Sequence, residues 1–111
     1  MRTAIVVALA VTSLGCGGNI CSRNSPCPND AQRTQAQRDQ CQATLDAYAG
    51  AACFNEVLDL ENCYMDNQVC GADGTTDTNL SNTKATTNCT NPSANLSACC
   101  VKNPASTACK A

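Results

Sequence analysis

The chain has no histidine and no tryptophan, and its aromatic side chains are Tyr48, Phe54 and Tyr64 alone. Without histidine the commonest general base and metal ligand near neutral pH is missing. Ser-His-Asp and Cys-His nucleophile arrangements are therefore excluded. No C-x-x-C spacing occurs, so the usual thiol–disulfide exchange motif is missing too. Charge is sparse, at 14% of residues with a net of −2. The basic residues are scattered and form no aromatic-rich stripe, which argues against nucleic acid as a partner. Large apolar side chains thin out after residue 70, leaving little beyond Leu80, Leu96 and Val101. A single domain is the natural reading of 111 residues, and an apolar core this thin is marginal at that size.

Cysteine is what the chain has in excess. Eleven in 111 residues is the range in which disulfide scaffolds become the leading explanation. Each bridge typically adds ~2–4 kcal/mol, largely by restricting the unfolded chain. Several together offset a weak core. The odd total points to one cysteine with a different fate.

The first residues, MRTAIVVALAVTSLG, place Arg2 before an apolar run over residues 3–11. That run is well short of the ~20 residues a membrane-spanning helix needs, and it fits a signal-peptide core. Ser13-Leu14-Gly15-Cys16 then resembles the bacterial lipobox, in which a small residue precedes the cysteine that takes a diacylglycerol thioether. The resemblance covers residues 1–16. It departs from the usual pattern at Ser13, where leucine is common, whereas Gly15, Gly17 and Gly18 fit well. It implies a signal peptide over residues 1–15, cleavage before Cys16 and a lipid anchor on that cysteine. Gly17 in place of aspartate favours the outer membrane. Ordinary secretion is the alternative.

With Cys16 set aside for lipid, Cys21, Cys27, Cys41, Cys53, Cys63, Cys70, Cys89, Cys99, Cys100 and Cys109 remain. Ten cysteines make five bridges, with on the order of 1,000 possible pairings. Thiolate sets of this size also suit zinc or iron–sulfur clusters. An exported chain holds them oxidised, so disulfides are expected and neither metal nor cofactor is.

The expected organisation is a lipidated arm over residues 16–28 followed by a disulfide-stapled, all-α domain over residues 29–111. The first helix is expected over residues 29–49, with Asn29 as N-cap, Gln32 completing a capping box and Gly50 as the stop. Cys41, Leu45 and Tyr48 share its inner face. A second is expected over residues 52–69, on the stripe Phe54, Val57, Leu58, Met65 and Val69. The short Gly50-Ala51 connection implies a helical hairpin, which sets Cys41 opposite Cys63 as an expected bridge. Residues 79–89 form a weaker, Thr- and Asn-rich helix. Asn91-Pro92 opens the last, with asparagine at N-cap and proline at the first helical position, and Pro104 closes it. Strand-like alternation and internal repeats are absent from the sequence.

Other motifs carry less. Asp73-Gly74-Thr75-Thr76-Asp77 has glycine at position 2 where an EF-type calcium loop needs it at position 6, so a surface turn is expected. Glu56, Asp59, Glu61 and Asp66 read as a solvated helix face. Asn79, Asn88 and Asn95 begin N-x-S/T acceptor patterns, which arise by chance in an Asn- and Thr-rich chain. Adjacent Cys99 and Cys100 are expected to bond to different partners.

The lipobox, the Val69-Cys70-Gly71-Ala72-Asp73-Gly74 turn and the closing Ala98-Cys99-Cys100-Val101-Lys102-Asn103-Pro104 with Cys109 together resemble small cysteine-rich bacterial lipoproteins of uncharacterised role. The resemblance implies an outer-membrane address and carries no activity. The expected function is a non-catalytic cell-envelope lipoprotein with a structural or protein-interaction role. Its partners are the membrane, through the anchor, and envelope proteins. The alternative is a small module that binds an apolar ligand between its helices.

Overall fold

The computed structural model describes residues 20–110. Four helices make up the described chain: α1 (Gln35–Tyr48), α2 (Phe54–Asp66), α3 (Thr78–Asn88) and α4 (Thr90–Lys102), followed by a 3-10 turn at Thr107–Cys109. Among the described residues there is no strand, only an isolated bridge between Cys70 and Thr76. The fold is all-helical, as composition and periodicity imply. The expected signal peptide, the lipobox and Cys16 lie outside the described residues.

α1 starts at Gln35, six residues later than expected. Its capping box is built by Thr34 and Gln37: the Gln37 amide donates to Thr34 Oγ1 at 3.2 Å, and the Thr34 amide donates to Gln37 Oε1 at 2.9 Å. Asn29 and Gln32 have other partners. Asn29 donates from its backbone to Gly74 O at 2.8 Å and from its side chain to Asp73 O at 2.7 Å. Gln32 Oε1 accepts from the Ser25 amide at 3.1 Å. These contacts outbid the local cap and keep residues 31–34 out of helix. At the far end Gly50 takes φ +87°, the left-handed conformation glycine adopts without a Cβ clash.

α2 ends at Asp66 rather than at Val69, because Val69 is committed to α3: its amide donates to Ser81 Oγ at 2.8 Å and its carbonyl accepts from the Asp77 amide at 2.8 Å. Asp77 caps α3 by accepting from the Leu80 amide at 2.9 Å. α3 runs directly into α4, with Cys89 ending one helix and starting the other. Thr90 therefore takes the first position of α4, and Asn91 and Pro92 sit two positions further in than expected.

α2 packs against α4 and, less extensively, against α3, and α3 against α4. α1 has no comparable helix neighbour. The expected Cys41–Cys63 bridge does not form. Cys41 instead joins Cys21, and Cys63 joins Cys89. The correction follows from the packing, since α2 turns its cysteine toward α3 rather than back toward α1.

Little apolar side chain is fully buried. Among the described residues the buried apolar set is Cys21, Cys27, Cys53, Cys89 and Ala85. Phe54, Val57, Leu58, Met65 and Val69 are half-buried, and Leu80 and Val101 are exposed. Sulfur, not hydrocarbon, occupies the centre.

Candidate functional site

The ten cysteines from Cys21 onward form five bridges: Cys21–Cys41, Cys27–Cys70, Cys53–Cys99, Cys63–Cys89 and Cys100–Cys109. Adjacent Cys99 and Cys100 bond to different partners, as expected. The sulfurs of Cys53, Cys100 and Cys109 lie within 4.8 Å of one another, as do ligand atoms of Cys53, Glu56 and Cys99. Cysteine ligates a metal as the free thiolate. Here every one of these sulfurs is in a disulfide.

Two of the bridges share a local device that the sequence reading missed. Asn67 stands four residues after Cys63 and Asn103 four after Cys99, each just past the end of its helix. Asn67 Nδ2 donates to Cys63 O at 2.7 Å and lies 3.5 Å from Cys89 Sγ. Asn103 Nδ2 donates to Cys99 O at 2.9 Å and lies 3.8 Å from Cys53 Sγ. In both cases the amide closes the helix end and covers the disulfide. The readable signal is C-x-x-x-N at a helix terminus. Asn67 is the buried member, with its Oδ1 accepting from Asn88 Nδ2 at 2.8 Å.

Cys53 holds the one left-handed non-glycine backbone among the described residues, at φ +70°. Such a conformation costs a side-chain-bearing residue roughly 1–2 kcal/mol. The buried bridge to Cys99 fixes it there.

A polar junction joins the arm before α1 to the loop between α2 and α3. The Asp30 carboxylate accepts from the hydroxyls of Ser25 and Thr76, and from the Thr76 amide at 2.9 Å. Those donors hold its pKa below the usual 3.8, the Ser25 hydroxyl contributing most. Asp73 is also held low, by the Thr75 amide at 3.0 Å and the Thr75 hydroxyl at 2.7 Å. The Asp73 loop is thus a self-bonded turn, as the glycine spacing implies. Gly74 is required in it, since a Cβ there would stand 2.5 Å from Asn29 Nδ2, and its φ is +80°. Of the acidic residues on α2, Asp59, Glu61 and Asp66 are exposed. Asp66 pairs with Arg23 at 2.5 Å.

An open groove of about 890 Å³ runs between α2 and α3 and continues to the start of α4. That volume is within the range of small-molecule sites, ~300–1,000 Å³. α2 contributes Glu61, Tyr64 and Met65, and α3 contributes Ser81, Asn82, Ala85 and Thr86. Thr90 and Ser93 of α4 close one end, and Ile20 and Arg33 of the arm edge it. Arg33 Nη1 donates to Ile20 O at 2.8 Å. The Cys63–Cys89 bridge, spanning α2 and the α3–α4 junction, braces the walls.

Among the described residues no helix is long and apolar enough to cross a membrane. No protein-family model, curated protein or solved structure matches this chain.

Proposed function

We propose that the chain is a non-catalytic lipoprotein of the bacterial cell envelope, anchored through Cys16, with a structural or protein-interaction role. The observation that carries this reading is the closure of the cysteine set. Five bridges use every cysteine from Cys21 onward, which leaves Cys16 over for a separate chemistry. Two or more acyl chains at that sulfur make membrane attachment effectively stable, at ~0.8 kcal/mol per buried methylene.

With Cys21 bridged and the Ile20 carbonyl held by Arg33, residues 17–19 are left as the tether. Their extended reach is about 10 Å, so the domain would be held against the membrane surface rather than on a stalk. The outer membrane is the favoured address, on Gly17 at the position after the anchor.

The test is expression of the full chain in a Gram-negative host fed labelled palmitate. The wild-type protein is expected to carry label and to sediment with membranes, and Cys16→Ala to lose both properties. An unlabelled wild-type protein in the soluble periplasm would overturn the anchor. The other reading, a module for an apolar ligand, has less support, because more than half of the residues lining the groove carry a hydroxyl or an amide.

A further inference from the structure

We infer that the groove between α2 and α3 is a binding site for a neutral oligosaccharide. This goes beyond the anchor reading and stands independently of it.

The lining selects the ligand class. α3 and the start of α4 present Thr78, Asn82, Thr86, Thr90 and Ser93, and the loop before α3 adds Thr76. The side chains of Thr78, Asn82, Thr90 and Ser93 make no hydrogen bond to another described residue, whereas Thr76 and Thr86 are engaged internally. Unused hydroxyls and an amide along one wall offer donors and acceptors without charge. An apolar ligand would strip water from these groups and give nothing back.

Charged ligands are matched poorly. Among the described residues, Arg33 and Glu61 are the only ionised side chains in the lining, one of each sign, and Arg33 already donates to Ile20 O. An anion would find one partly engaged guanidinium. A cation would find one exposed carboxylate.

The opposite wall supplies what hydroxyls cannot. Tyr64 is one of three aromatic residues in the chain and remains 45% exposed at the groove. A tyrosine ring with one wet face combines apolar area with a polar tip, and the C–H face of a pyranose lies flat on such a surface. Met65 and Ala85 extend that floor.

The walls are also fixed in advance. The Cys63–Cys89 bridge and the Asn88–Asn67 amide contact at 2.8 Å tie α2 to the end of α3. Preformed walls reduce the ordering cost of binding. Affinity is expected to be modest, with Kd of ~0.1–1 mM, because every hydrogen bond replaces one to water.

The experiment is amide-resolved NMR titration of the oxidised full-length protein in detergent micelles. The neutral probes are tetrasaccharides of β-1,4-linked N-acetylglucosamine, β-1,4-linked glucose and α-1,4-linked glucose. A sulfated tetrasaccharide and a fatty acid are the contrasting probes. Saturable shifts at Tyr64, Asn82, Thr90 and Ser93 with at least one neutral probe are expected. Tyr64→Ala is expected to weaken binding at least about tenfold, and Tyr64→Phe to leave it nearly unchanged. Asn82→Ala provides a second variant on an exposed helix position if Tyr64→Ala alters the fold, and is expected to weaken binding several-fold. No saturable shift with any neutral probe at millimolar concentration would overturn the proposal. Shifts confined to another surface, or preference for the sulfated probe or the fatty acid, would overturn it equally.

Discussion

Residues 53–110 hold together by helix packing around three internal bridges, whereas residues 20–49 hold together and join that body mainly through polar contacts and two bridges. In the body, α2, α3 and α4 touch one another, and the Cys53–Cys99 and Cys63–Cys89 bridges are covered by Asn103 and Asn67. In the arm, α1 buries none of its residues. Cys21–Cys41 ties α1 to the chain before it, and Cys27–Cys70 ties that chain to the loop between α2 and α3. Asp30, Asn29 and Arg23 supply further links to the body. Both regions are short of large apolar side chains. The difference lies in whether cross-links reinforce packing or replace it.

The largest expected effect separates the two regions by bridge removal. Replacing Cys53 and Cys99 together by serine is expected to lower global stability by ~2–5 kcal/mol in chemical denaturation. It removes a 46-residue closure that also fixes the left-handed backbone at Cys53. Replacing Cys21 and Cys41 is expected to expose α1 amides to hydrogen exchange while the α2–α4 amides stay protected. Equal loss of protection in both regions would dissolve the distinction.

Next in size is Asn67→Ala. It removes the cover from the Cys63–Cys89 bridge and leaves Asn88 Nδ2 without its partner, so a loss of ~1–3 kcal/mol is expected. Asn103→Ala, at a half-buried position, should cost less. Thermal unfolding of the two variants side by side checks the order.

Thr34→Ala opens the capping box of α1 and is expected to cost ~0.5–2 kcal/mol. Because α1 is weakly coupled to the body, the change should appear in α1 hydrogen exchange with the α2–α4 transition nearly unmoved. A matching shift in the body would show that the arm and body unfold as one.

The smallest effect is set by pH. Hydrogen bonds from Ser25 and Thr76 depress the folded pKa of Asp30 below 3.8, so its contribution is fully present above 3.8. It is lost as pH falls through the folded value. Protection of the Thr76 amide is expected to hold down to about pH 4 and to fall below it. In Asp30→Asn that acid-dependent loss should vanish. Persistence of the same pH profile in the variant would remove Asp30 from the account.

Much of this fold could be read in the residues. Gly50 stops α1, the apolar stripe from Phe54 makes α2, and the weak Thr- and Asn-rich segment is helical as α3. The failures share a physical origin. Asn29 and Gln32 have the composition of a capping box, but tertiary partners at Gly74, Asp73 and Ser25 claim them. Val69 continues the α2 stripe, but its backbone bonds to Ser81 and Asp77 instead. Local propensity does not register such long-range competitors. The Cys41–Cys63 expectation failed for the same reason, since it assumed that α1 and α2 are packed partners. The groove was less legible still. Its hydroxyl wall reads in sequence as an undistinguished polar helix, and only packing sets it opposite Tyr64.

The central claim is that Cys16 stands apart from ten cysteines that pair among themselves. Intact mass spectrometry of the native full chain, after alkylation with and without prior reduction, tests it most directly. The expected product is a chain beginning at Cys16 and carrying acyl mass, with no alkylated cysteine before reduction and ten after it. A chain without acyl mass whose Cys16 takes the alkylating reagent, or one with a free thiol among the other ten, would contradict it.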